Sequence, residues 1–187
     1  MKKEKLHFII LRSIYVAILV WGILLKMNRF GLIENDFKYM IKLDLFSRLT
    51  YSLNPFSMHA TTIRLNYLNI FAFIPFGFLS SAIFESRTFI KTAFSSFLLS
   101  LILEIIQAFT AIGGFASIDL ICNTFGGLLG FLAFALVMHY LKQGSEKVQN
   151  TLVKSFIVIC YIFLTPVALY GVFNTLINLD SYISLYL

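Results

Sequence analysis

Five stretches of the chain stay apolar for about the 20 residues that a bilayer crossing needs. They lie near 7–26, 66–84, 88–111, 117–141 and 152–177. Polar and charged residues collect between them in short loops and in one long loop ahead of the second stretch. The pattern predicts an all-α integral membrane bundle of about five transmembrane helices, forming a single transmembrane domain over 1–187. The first stretch follows Lys2, Lys3 and Lys5, as a signal peptide does. It is too long for a cleaved hydrophobic region, and 21–26 offers no small-residue cleavage site, so it is expected to remain as an anchor. Pro75 and Pro166 fall inside the second and fifth stretches and predict kinks there, because proline removes a backbone donor.

Within the long loop, DFKYMIKLDLFSRL (36–49) has a helical rhythm. Phe37, Met40, Ile41, Leu45 and Leu49 share one stripe, with Lys38, Lys42, Asp44 and Arg48 on the other side. Asn35 or Asp36 can cap it. A short helix lying on the outer membrane surface is the expectation, and a helix gating a site beneath it is the sharper alternative. Asn54 and Pro55 end the stretch in a turn.

Composition agrees with the pattern. Charged residues make up 13% of the chain, where a soluble domain has about 25%. Mean hydropathy is +0.85. The net charge of +6 does not imply nucleic acid, because the Lys and Arg residues sit between apolar stretches, where they signal membrane orientation. Of the 15 Lys and Arg residues, nine fall in segments that would be cytoplasmic with the N-terminus inside. The other six all lie in the first outer loop, beside Glu34, Asp36 and Asp44. A multi-pass protein of the bacterial cytoplasmic membrane, N-terminus inside and C-terminus outside, is therefore expected. Cys122 and Cys160 lie within apolar stretches and make no disulfide framework. His7, His59 and His139 are scattered without metal-ligand spacing, so no metal and no cofactor is expected.

Against this background the run LSLILEIIQAFTAIGGFASIDLICNTFGGLLG (99–130) stands out. It reads as two apolar helices joined by a Gly-Gly turn, and it carries Glu104, Gln107, Asp119 and Asn123. A carboxylate inside an apolar span costs at least about 2.5–3.5 kcal/mol. Alternation of the spans puts all four, together with Asn69, in one outer half of the bilayer, with Glu104 roughly 10 Å below the turn. Glu104 and Gln107 share a face at i,i+3, and Asp119 and Asn123 share one at i,i+4. That second face continues through Gly126, Gly127 and Gly130, whose GxxxG spacing admits a neighbouring helix closely. A polar, outward-open pocket between the second, third and fourth spans follows, with Arg64 as the cation at its mouth. Each part has a plainer explanation. Buried amides act as interhelical glue worth about 0.6 kcal/mol each, and Asp119 or Ser117 could serve as a helix N-cap. Glu104 is the hardest to explain by packing.

Four blocks in this region resemble the VanZ-like family of bacterial membrane proteins: LNPFSM (53–58), NIFAFIPFGF (69–78), EIIQAF (104–109) and DLICNTFGGLLG (119–130). The resemblance covers about 52–134. It implies a small helical membrane protein connected with resistance to glycopeptides of the teicoplanin type, since the family's namesake is associated with low-level teicoplanin resistance. The family pattern often carries an Arg and a further Asp just before the position of Asp119. Here Gly, Phe, Ala, Ser and Ile fill 114–118. Teicoplanin has a lipid tail and acts where lipid-linked wall precursors are exposed, which is the side on which the pocket would open.

Three functions compete. A non-enzymatic binding or accessory protein would hold a membrane lipid, a lipid-linked cell-wall precursor or a lipoglycopeptide through Asn69, Glu104, Gln107, Asp119, Asn123 and Arg64. A membrane-embedded enzyme would use Glu104 and Asp119 as acid/base residues or metal ligands, although no His, Cys or Ser stands at nucleophile-and-base spacing and two carboxylates with amides make a thin metal site. A transporter would need an inverted repeat, which five spans do not offer, or a homo-oligomer. Binding is the favoured expectation.

Overall fold

In the computed structural model of the chain, the described residues are 2–25, 41–54, 60–83, 89–111 and 113–141, with Thr151, Lys154, Ser155, Val158 and Ile162. At 2–4, 21–25 and 60–66 only the backbone is described. Five helices are delimited among the described residues: α1 (Lys2–Leu25), α2 (Leu45–Leu49), α3 (Ala60–Ile83), α4 (Phe89–Phe109) and α5 (Ser117–Leu141). Among the described residues there is no strand, only an isolated parallel bridge between Ser52 and Ala116.

Among the described residues two helices, α4 and α5, are long and apolar enough to cross a membrane. Only 28% of each apolar window is buried inside the protein. The outer faces of these windows, with Phe94, Leu98 and Ile102 on α4 and Ile121, Phe125 and Leu132 on α5, are exposed. A helix at the core of a soluble protein would bury these side chains, so their exposure marks a helical membrane protein. In α3 the shorter stretch Tyr67–Ile83 is apolar. The span expected near 152–177 lies outside the described residues, except that Lys154, Ser155, Val158 and Ile162 are helical.

The helix ends refine the expected spans. α5 coincides with the stretch expected at 117–141, and α4 falls within two residues of 88–111 at either end. α1 and α3 each start several residues before their apolar stretches. Arg64, expected just ahead of its span, is therefore inside α3. Pro75 also lies inside α3, which continues beyond it to Ile83.

The single helix expected over 36–49 is interrupted. Residues 36–40 lie outside the described part, 41–42 are helical, and the chain bends at Leu43. Asp44, expected on the polar face of one continuous helix, instead N-caps α2 by accepting from the Ser47 amide at 3.1 Å. Aspartate competes for nearby backbone donors, so it favours a fresh helix start over a helix interior. Hydrogen bonds from Ser47 hold the exposed Asp44 carboxyl below the usual carboxylate range.

The main seam runs between α3 and α5 at backbone contact. A methyl at Gly126 would overlap the Ile70 carbonyl, one at Gly130 would overlap the Ile74 carbonyl, and one at Gly77 would overlap the Gly127 carbonyl. The glycines expected to admit a helix do so, and the helix admitted is α3. On the other side of α3, α1 contributes Phe8 and Leu11 against Leu79, and Leu19 beside Phe73, Phe76 and Leu103. Tyr15 of α1 donates its hydroxyl to the Ala72 carbonyl at 2.7 Å. That bond lies next to the Phe71 carbonyl, whose helical donor Pro75 removes.

Candidate functional site

The turn after α4 builds one end of the seam. Thr110 returns its hydroxyl to the Ile106 carbonyl at 2.7 Å, and Ala111 takes a left-handed conformation at φ 56°. The reversal thus adds an alanine to the expected glycines, and the Gly113 N–H donates to the Gln107 carbonyl at 3.2 Å. Gly113 lies on the Gln107 side chain, and a methyl at Gly114 would collide with the Tyr51 side chain. The next residues are laced to the segment after α2. Phe115 N–H donates to the Arg48 carbonyl at 2.8 Å, Ser52 N–H to the Phe115 carbonyl at 3.1 Å, and Ser117 N–H to the Ser52 carbonyl at 3.0 Å. The Ser117 hydroxyl donates to the carbonyls of Ser52 at 3.2 Å and Leu53 at 3.0 Å. Residues 48–53 therefore form a strap across the start of α5.

Beneath this strap stands Glu104, only 3% exposed. Its Oε2 accepts the Ala116 N–H at 2.8 Å. Ala116 occupies the N-cap position of α5, its carbonyl accepting from Asp119 at 3.2 Å and Leu120 at 3.4 Å. Neither Ser117 nor Asp119, the two residues expected as caps, holds that place. The Ser117 hydroxyl points its proton at the strap, and the Asp119 side chain is left for another helix. The Glu104 carboxyl accepts at the positive end of the α5 dipole, where negative charge is favoured.

Asp119 is joined by the Asn69 side chain of α3, which hydrogen-bonds to its carboxyl group. It also lies close enough to Glu104 for the two carboxyl groups to interact electrostatically. One turn deeper on α5, Asn123 is 4% exposed and donates Nδ2 to the Ser100 hydroxyl at 2.8 Å. Its Oδ1 is buried without a partner. Thus α3, α4 and α5 bring Asn69, Glu104, Asp119 and Asn123 together, as depth and helical face predict. The Gln107 side chain lies against Gly113 at the turn. The side chain of Arg64 lies outside the described residues.

Several contributors carry no side-chain signal in the sequence. The Ala116 N–H and the carbonyls of Arg48, Ser52 and Leu53 are backbone groups, set by the turn rather than by residue type. Others were legible. Thr92, Ser96, Ser100 and Glu104 recur at i,i+4 along α4 and are all buried. This stripe meets Gly127 through Ser96, Asn123 through Ser100, and Ser81 through Thr92 at 3.0 Å. The Ser81 hydroxyl also lies 2.7 Å from the Gly77 carbonyl. Among the described residues no group of three or more His, Cys, Asp or Glu side chains could hold a metal ion.

These features define a helical membrane protein whose polar residues are gathered at one end of a glycine-packed, three-helix seam. The VanZ/LLP1 family model matches residues 13–139, from within α1 almost to the end of α5. The chain is also 34% identical over 134 residues to Protein VanZ of Enterococcus faecium, covering 71% of this chain and 76% of that protein. The chain belongs to the VanZ/LLP1 family. No solved structure matches it.

The family blocks acquire physical meaning from the fold. Asn69 and Gly77 on α3 face Asp119 and Gly127 on α5, so the two most distinctive blocks are the two sides of one seam. EIIQAF adds Glu104 from α4.

Proposed function

We propose that this protein contributes to resistance against glycopeptides of the teicoplanin type by binding a lipid-linked cell-envelope molecule, or the lipoglycopeptide itself, in the outer leaflet. The observation that carries this reading is the convergence of Asn69, Glu104, Asp119 and Asn123 from three helices at the α4–α5 turn. Polar groups inside membrane helices are expensive, and their concentration at one end suits a polar head group whose tail stays in lipid. The orientation that supports this has the N-terminus inside and the C-terminus outside, in a bacterial cytoplasmic membrane crossed about five times. A homo-oligomer is compatible with the exposed apolar faces. Nucleic acid has no part in this reading.

A second reading rests on the nearness of the two carboxyl groups. An embedded enzyme acting on a lipid-linked precursor could use Glu104 and Asp119 as an acid/base pair, because adjacent carboxyls can divide a proton between them. Glu104→Gln separates the readings, since glutamine keeps the acceptor for Ala116 and loses the proton. A binding protein keeps much of its effect on glycopeptide susceptibility in cells expressing the variant, and an acid/base enzyme loses nearly all of it. If Asp119→Ala and Asn123→Ala, at unchanged expression, both leave susceptibility at the level of the parent protein, the binding reading fails.

A further inference from the structure

Among the described side chains, the end of the seam beneath the strap holds two carboxyls, Glu104 and Asp119, while the strap's Arg48 buries its Nε without a hydrogen-bond partner. Glu104 uses one carboxyl oxygen on the Ala116 N–H, and Asp119 takes a hydrogen bond from Asn69. Neither has an ion-pair partner among the described residues. An independent feature lies one turn below. The Asn123 amide, 96% withdrawn from the surface at 4% exposure, spends Nδ2 on Ser100 and keeps Oδ1 in the same interface without a donor. Burying an acceptor without a donor is costly. Two neighbouring carboxyls with no ion-paired cation among the described side chains cost more still unless they share a proton.

An anion would add charge of the same sign to the carboxyl pair. Among the described residues no three His, Cys, Asp or Glu side chains gather here as a metal site would require. A primary ammonium matches better: one positive charge, three donors and a small cross-section. Asp119 is only partly buried, which leaves it as the member an arriving group meets first.

We propose that the outer end of the α3–α4–α5 seam is a recognition site for a primary ammonium group, with Glu104 and Asp119 supplying the countercharge and Asn123 Oδ1 the third acceptor. This rests on the binding function proposed above and specifies its ligand. The ammonium can belong to an amine-bearing lipid head group or to the free amine of a lipoglycopeptide, and the two sources present the same chemistry to the site.

The full chain in lipid nanodiscs tests this. Phosphatidylethanolamine and its N-acetyl form make one pair of probes. A lipoglycopeptide with a free amine and its N-acetyl form make the other. Occupancy is read by native mass spectrometry and by the shift in thermal unfolding. In at least one pair the free amine should bind about tenfold or more tightly than the acetylated form, the scale of a lost charged hydrogen bond. The pair that responds identifies the source. Asp119→Asn should erase that preference, whereas Glu104→Gln, which keeps the acceptor for Ala116, and Asn123→Ala should each reduce it only in part. The comparison of free with acetylated probes uses the unaltered protein, so it stands even if a variant fails to fold. Equal binding of the two members in both pairs overturns the ammonium assignment and leaves the lipid-binding function intact. No binding of any probe overturns both.

Discussion

Replacing Gly126 with alanine places a methyl group where the Ile70 carbonyl already stands. Both parties are helix backbone, so no rotamer change relieves the overlap. For the contact to return to van der Waals distance, α3 must retreat from α5 by roughly 1 Å. The same retreat lifts Ile74 off Gly130 and Gly77 off Gly127, and those contacts are as close as the one being relieved. Overpacking of this kind costs about 1–3 kcal/mol, and the seam's length argues for the upper half of that range. Gly113→Ala is the matched control. Its new methyl would meet Gln107 Cβ at 3.6 Å, an ordinary contact, and its stability should stay within about 0.5 kcal/mol of the parent. Denaturant titration of both variants in one detergent, followed by far-UV circular dichroism, measures the difference. Because Asn69 immediately precedes Ile70, Gly126→Ala should also draw the Asn69 amide away from Asp119 and weaken the effect on glycopeptide susceptibility. Equal stability of the two variants would refute the backbone-contact account of the seam.

Tyr15→Phe removes the hydroxyl that reaches the Ala72 carbonyl and should lower stability by about 0.5–1.5 kcal/mol in the same titration. Ser117→Ala deletes the side-chain donor to Ser52 and Leu53 and should speed amide exchange at Ser52 and Phe115 by roughly fivefold, leaving exchange within α5 unchanged. Asp44 makes α2 sensitive to acid. Its folded carboxyl lies below the ordinary range through hydrogen bonds from Ser47, so the support it gives is present above the unfolded pKa and lost as pH falls through the folded one. The Ser47 amide resonance should therefore shift at a lower pH than that of an unstructured aspartate peptide, and Asp44→Asn should abolish the titration.

Much of the fold was legible because membrane helices are specified by length and apolarity. Ser117 to Leu141 reads directly from the sequence for that reason. The starts of α1 and α3 were not legible, since Lys2, Lys3 and the polar residues at 60–66 extend a helix without extending its apolar stretch. The break at Leu43–Asp44 was hidden by a good helical stripe, and it turned on one aspartate preferring a cap to a helix face. At the site, i,i+3 and i,i+4 spacing brought Asn69, Glu104, Asp119 and Asn123 to one place, because depth and face are both periodic. Gln107 obeys the same spacing, and the turn sets its side chain against Gly113. The Ala116 N–H and the strap carbonyls had no signature to find. Serines at 96 and 100 did have one, at helical spacing with Glu104, and they supply the polar floor beneath the carboxyl pair.

Binding in the outer leaflet requires that the four gathered side chains form a built site rather than a set of interhelical contacts. Native mass spectrometry of the full chain, extracted gently from the membrane in which it is expressed, tests this most directly when set against Asp119→Asn and Asn123→Ala purified in parallel. The account predicts a discrete adduct of head-group-bearing mass on the parent protein, much reduced in both variants while their helical content is unchanged. An identical adduct pattern on all three proteins, or no adduct on the parent, would contradict it.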